Sequence, residues 1–186
     1  EYIQEMNQKT FGNKDIVTVG ECWGADTEIG KLYSAPERKE LDMIFQFEQM
    51  QSDQIAGKQK WDLKQLDFIY LKHTFAKWQY EMEGKGWNSL FWNNHDIPRI
   101  VSRWGNDKEY RVESAKMLAT VLHGMKGTPY IYQGEEIGMT NYPFTSIKDF
   151  ADVEEINMYH ERKQKGYSEK EIMESICAKA RDNDRT

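Results

Sequence analysis

The sequence predicts an α/β fold built on a parallel sheet, and three observations carry that prediction. Short apolar runs alternate with longer segments of helical spacing. Glycine, aspartate and asparagine bound the runs. No repeat, low-complexity tract or Pro/Ser-rich linker breaks the alternation. The first run, Ile16-Val-Thr-Val19, is β-branched and lies between Asp15 and Gly20, so it reads as a buried strand. Met43-Ile-Phe-Gln-Phe47, Ser89-Leu-Phe-Trp92 and Pro129-Tyr-Ile-Tyr132 supply three more. Between them, the span from Leu66 to Met82 brings Leu66, Ile69, Tyr70, Phe75 and Trp78 near one helical face. From Val112 to Met125 an apolar stripe runs through Ala115, Leu118, Ala119 and Leu122, closed by Gly124 and Gly127. Val153 to Lys165 continues the helical pattern, and Ser168-Glu-Lys-Glu171 is a capping box opening a helix towards Ala180. Four strand–helix units make half of an eight-stranded barrel or one small doubly wound sheet. Composition does not choose between these.

The 186 residues suffice for one domain with a sizeable core. Lys and Arg total 25 against 31 Asp and Glu, a formal net charge of -6, which argues against a nucleic-acid partner. No apolar run approaches the roughly 20 residues of a membrane span. The two cysteines, Cys22 and Cys177, form no CxxC, so a metal finger and a disulfide scaffold are disfavoured and a reducing, cytoplasmic setting is expected. The chain opens on the helical-looking EYIQEMNQKTFG without a Met and closes just after RDND. Both ends look cut, so a longer parent protein is expected.

In parallel α/β architectures the working residues collect just past the carboxyl ends of strands. Glu21, Asp96 and Glu135 each follow a candidate strand, so they are expected at one rim, with His95 and Arg99 beside them. Trp23, Trp92, Trp104, Tyr130 and Tyr132 would line a cleft there, while Trp61, Trp78 and Trp87 read as packing residues. Carboxylates and aromatic faces together suit carbohydrate. Glycoside cleavage needs one carboxylic acid to protonate the leaving oxygen and a second carboxylate to meet the oxocarbenium-like centre. Flat rings offer apolar faces to sugar C–H groups. Blander readings stand beside this one. NNHD can be a turn with side-chain-to-backbone bonds, and Glu161-Arg-Lys-Gln-Lys165 a solvated helix face. His73, His123 and His160 are spaced too widely for a metal-ligand set, and Cys22 has no histidine near it in sequence.

TVGECWG, FWNNHDIPR and GTPYIYQGEEIGM, in this order, resemble three signature stretches of the α-amylase superfamily of glycoside hydrolases. KLYS, ERKELDMIFQFE, GWNSLFWNNHD, SAKMLATVLHGMKGTPYIYQGEEIGMTNYPF and ARDNDRT narrow the resemblance to the oligo-1,6-glucosidase and glucan 1,6-α-glucosidase group, with ECWGA and TNYPF tilting it towards the latter. The resemblance implies the carboxyl-terminal half of a (β/α)8 barrel, strands five to eight, over about residues 1–140, with a helical segment after the last strand over about 141–186. Position by position, it makes Glu21 the general acid/base and Asp96 the carboxylate that binds ring hydroxyls at subsite -1 and stabilises the transition state. His95 holds the same sugar. Arg181 locks the non-reducing glucose, favouring exo attack. Trp23, Lys60 and Glu154 contact the sugar at subsite +1. Read from residues alone, Asp96 could equally be the nucleophile. The resemblance assigns that role to an aspartate in a GFRxD-type motif, which does not occur in this chain.

The implied activity is retaining hydrolysis of α-1,6-glucosidic bonds at non-reducing ends of isomaltooligosaccharides or dextran, with no cofactor and no metal held by this chain. The chain alone is expected to be inactive, and to self-associate or rearrange its edges, since a half barrel exposes two strand edges. Trehalose-6-phosphate hydrolysis and α-1,4-glucosidase action are the alternatives within the family. A non-catalytic sugar-binding or structural module is the alternative outside it. Asp184 replaces the alanine of the family's commoner RDNART, a change with no physical account here.

Overall fold

A computed structural model describes residues 1–181; Asp184 and the rest of 182–186 lie outside the described residues. The described chain falls into two compact units. The first comprises Glu1–Asp53, Gln65–Leu90 and Gly124–Tyr130, and the second Gln54–Lys64, Phe91–His123 and the described residues from Ile131 on.

Among the described residues the strands all fall in the first unit: β1 (Val19–Cys22), β2 (Met43–Gln46), β3 (Ser89–Leu90) and β4 (Thr128–Pro129). β1 pairs with β2 in parallel, Glu21 opposite Phe45, and β3 pairs with β4 in parallel. A parallel bridge between Ile44 and Asn88 joins the two pairs, so the strands run in sequence order, as the predicted alternation requires. The helices α1 (Tyr2–Met6), α2 (Thr27–Ser34) and α3 (Phe68–Met82) belong to the same unit.

Several details depart from the sequence reading: β3 stops at Leu90 rather than Trp92, and β4 covers Thr128–Pro129 rather than Pro129–Tyr132. β1 starts three residues later than predicted, and Ile16 and Val17 are 50% and 71% exposed. The edge is set by Thr18, whose N–H and hydroxyl both donate to Asp42 Oδ2 at 2.7 Å, so pairing begins only at Val19. Gly20 lies inside the strand rather than ending it, because a Cβ there would come within 2.6 Å of the Leu41 side chain. α3 also turns another face inward. Leu71, Thr74, Trp78 and Met82 are buried, whereas Ile69 is 70% exposed. The burial register is set by α2, where a Cβ on Gly30 would meet the Trp78 ring at 2.8 Å. Trp78 Nε1 donates to Glu48 at 2.8 Å, which fixes the ring at that contact.

The second unit holds α4 (Ile100–Trp104), α5 (Arg111–His123), α6 (Val153–Gln164) and α7 (Glu169–Lys179). On α5 the buried stripe narrows to Leu118 and Leu122, with Val112 and Ala119 exposed. α6 and α7 fall where the pattern placed them. Ser168 and Glu171 form the capping box, each side chain accepting from the other's backbone N–H. Their core is Trp61, Phe150, Met158, Ile172, Ile176 and Ala180. Arg162, expected on a solvated face, is 7% exposed and donates to Asp62 at 2.8 Å, tying the segment before Leu63 to α6. No helix among the described residues is long and apolar enough to cross a membrane.

Candidate active site

Seven residues carry the roles that the resemblance implies, and they divide between the units: Glu21 and Trp23 in the first, Lys60, His95, Asp96, Glu154 and Arg181 in the second.

In the first unit the parallel β1–β2 pair delivers Glu21 on the strand itself, with an exposed side chain. Trp23 follows the strand end, and its ring stacks on Phe47, the residue after β2, at 3.7 Å between centroids and 12° between planes. Its indole Nε1 donates to Glu21 Oε1 at 2.9 Å. The acid therefore stands beside an exposed aromatic face that β2 holds from below. Gly24 takes a positive φ of 77° as the chain leaves this corner, and Asp26 then caps α2 by accepting from Ile29 N. Burial pushes the Cys22 thiol up, which disfavours a reactive thiolate beside Glu21.

In the second unit the loop after β3 is built by two asparagines. Asn93 is buried and its Oδ1 accepts from Ile100 N at 3.0 Å, fixing the start of α4. Asn94 Oδ1 accepts from Asp96 N at 2.8 Å, so NNHD forms a turn with a side-chain-to-backbone bond. The turn presents His95 and Asp96 side by side, with Nε2 and Oδ2 3.3 Å apart. Asp96 Oδ1 lies 3.7 Å from Arg181 Nη1, and Arg181 Nε lies 3.2 Å from Glu154 Oε2. The same Glu154 oxygen accepts from Lys60 Nζ at 2.7 Å. A continuous run of polar contacts, His95–Asp96–Arg181–Glu154–Lys60, thus connects residues spread over more than half of the sequence. Lys60 also sits over the Trp61 ring at 4.3 Å, anchored to the core between α6 and α7.

Two expected rim residues have other duties. Arg99 is 1% exposed; its guanidinium donates to the Gln133 carbonyl and lies over Tyr132 at 4.9 Å, while its N–H donates to Asn141 Oδ1. It is a strut under the loop, and Gly134 leaves room for it, since a Cβ there would approach Arg99 Nη1 at 3.3 Å. Glu135 accepts from Tyr132 N, and burial, partly opposed by Arg99, raises its carboxyl to about 7. Of the five aromatics expected in a cleft, only Trp23 is exposed. Trp92 is 2% exposed and donates to the Leu118 carbonyl, and Tyr130 packs edge-on against Phe45. Asp152, Glu154 and Glu155 bring one carboxylate oxygen each within 4.8 Å of the others. Glu154 is already committed to Lys60 and Arg181.

The family model described as alpha amylase, catalytic domain, matches residues 1–186. The chain belongs to the α-amylase family. Members of that family share a TIM-barrel catalytic domain, and the parallel strands of the first unit accord with it. The chain is 57% identical to glucan 1,6-alpha-glucosidase of Streptococcus pneumoniae, covering all of this chain and 35% of that protein. It is 57% identical to oligo-1,6-glucosidase of Bacillus cereus, covering all of this chain and 33% of that protein. The crystal structure of trehalose-6-phosphate hydrolase of Bacillus licheniformis superposes with a TM-score of 0.95 at 50% identity, covering all of this chain and 33% of that one. The chain therefore spans about a third of the length of the relatives that it matches.

Proposed function

We propose that this chain supplies strands five to eight of a (β/α)8 barrel in a retaining, exo-acting α-glucosidase that cleaves α-1,6 bonds at non-reducing ends of isomaltooligosaccharides. In this reading residues up to about 140 are barrel and those after it a helical segment following the eighth strand. The observation that carries the proposal is the contact run His95–Asp96–Arg181–Glu154–Lys60, because it assembles residues that the family resemblance selects from four separate segments. Identities of 57% to two 1,6-glucosidases support the linkage.

Glu21 protonates the leaving glycosidic oxygen while an aspartate elsewhere in the full-length protein attacks the anomeric carbon. Glu21, now a carboxylate, then takes a proton from the water that releases glucose. Asp96 carries negative charge to the sugar ring, where positive charge develops in the transition state, and His95 donates to the same sugar. Arg181 closes the non-reducing end, and Trp23, Lys60 and Glu154 receive the leaving sugar at subsite +1. Cytoplasmic residence belongs to the same proposal; both cysteines are unbridged. So does self-association of the isolated chain, which sedimentation at high concentration tests, a strictly monomeric profile counting against it.

Assay of the full-length protein on isomaltose, maltose and trehalose 6-phosphate tests the function. Preference for isomaltose is expected. Preferential cleavage of the phosphorylated sugar would overturn the linkage, and the superposition with a trehalose-6-phosphate hydrolase makes that the substrate to include.

A further inference from the structure

Glu155 is a fully buried carboxylic acid, 0% exposed, on the inner side of α6. A buried carboxyl is expensive unless it is bonded, and an apolar residue would pack there at lower cost. Its Oε1 accepts from the backbone N–H of Arg181 at 2.9 Å. That bond forms where α7 ends. Ala180 still donates to the Ile176 carbonyl at 2.8 Å, but its ψ of 147° turns the chain out of the helix. The next N–H, which a continued helix would give to Cys177, goes to Glu155 instead. The neighbouring Glu154 meets the Arg181 guanidinium at 3.2 Å. Two consecutive residues of α6 therefore hold Arg181 at both ends, Glu155 by its main chain and Glu154 by its side chain.

We propose that Glu155 is a positioning residue, fixing the point at which the chain leaves α7 and thereby the placement of the Arg181 guanidinium beside Asp96. The inference rests on the reading of Arg181 as the glucose-locking residue. Burial also raises the Glu155 carboxyl, and a neutral carboxyl retains the Oε1 acceptor that the contact needs.

The test uses the full-length protein and three measurements. In the wild type, the Arg181 amide should exchange slowly with solvent deuterium; fast exchange would overturn the proposal without any variant or any activity. Glu155→Leu should raise KM for isomaltose by up to about tenfold, the upper end of the weight of one neutral hydrogen bond. It should leave kcat within about twofold, as expected when binding rather than chemistry is disturbed. Glu155→Gln, which keeps the acceptor, should stay near wild type. In an Arg181→Ala background, Glu155→Leu should change KM no further. An equal effect in both backgrounds, or equal losses for Leu and Gln, would overturn it. Failure of the wild type to cleave any α-glucoside would instead defeat the functional reading and leave the amide-exchange result to decide Glu155.

Discussion

Replacing Glu154 by glutamine tests the centre of the contact run. Its Oε2 is 2.7 Å from Lys60 Nζ and 3.2 Å from Arg181 Nε, with side-chain exposures of 38%, 28% and 41% respectively. At about 3 Å and an effective dielectric constant of about 20, each pair attracts by about 5 kcal/mol before desolvation and screening. For groups this exposed most of that attraction is cancelled, and pairs of the kind contribute about 0.2–1 kcal/mol net. Two pairs sharing one oxygen should therefore cost about 1 kcal/mol of stability when the charge is removed. Urea unfolding of the full-length protein would measure it, in a cycle with Lys60→Met. The cycle should show a coupling of at least about 0.5 kcal/mol, because either single variant already removes the Lys60–Glu154 pair. On isomaltose, Glu154→Gln should lower kcat/KM by about tenfold or more, since Arg181 loses the group that aligns it. Additive stability changes together with unaltered kcat/KM would refute the view that these charges act as one unit.

Glu21→Gln should lower kcat on isomaltose by about 100-fold to 10000-fold, with the folded state unchanged by circular dichroism. Trp61→Ala should destabilise by about 3–5 kcal/mol, seen as a fall in Tm, because Trp61 fills the core that carries Lys60 and Arg162. The carboxyl of Glu135 is raised from 4.5 to about 7, so the folded state binds the proton more tightly than the unfolded chain does. Stability should then fall as pH rises from about 4.5 to 7, and Glu135→Gln should flatten that part of the curve in pH-dependent unfolding. An equally steep curve in the variant would place the titration elsewhere.

Legibility in the sequence followed the range of the forces involved. The capping box of Ser168 and Glu171 was readable because its donors and acceptors lie within one turn. The Asn94–Asp96 turn was readable for the same reason. The start of β1 was not, since Ile16 and Val17 have strand chemistry and are excluded by Asp42, 24 residues beyond Thr18. The buried face of α3 was misread because apolar residues occur all round that helix, and Gly30 on another helix selects which side packs. Arg99 and Trp92 have the chemistry of a binding cleft, yet both are buried, with Arg99 Nη1 donating to Gln133 and Trp92 Nε1 to Leu118 in the interior.

By itself the sequence determined the alternating α/β order, the short-range caps and turns, and, through three signature stretches, the family. Those follow from chemistry that is either local or specific enough to identify by resemblance. Only the tertiary structure decided which side chains face inward and that Lys60, Glu154 and Arg181 share one oxygen. It alone placed the buried Glu155 against the Arg181 main chain. These depend on segments far apart in sequence meeting at hydrogen-bond distance, and packing, not periodicity, sets that distance.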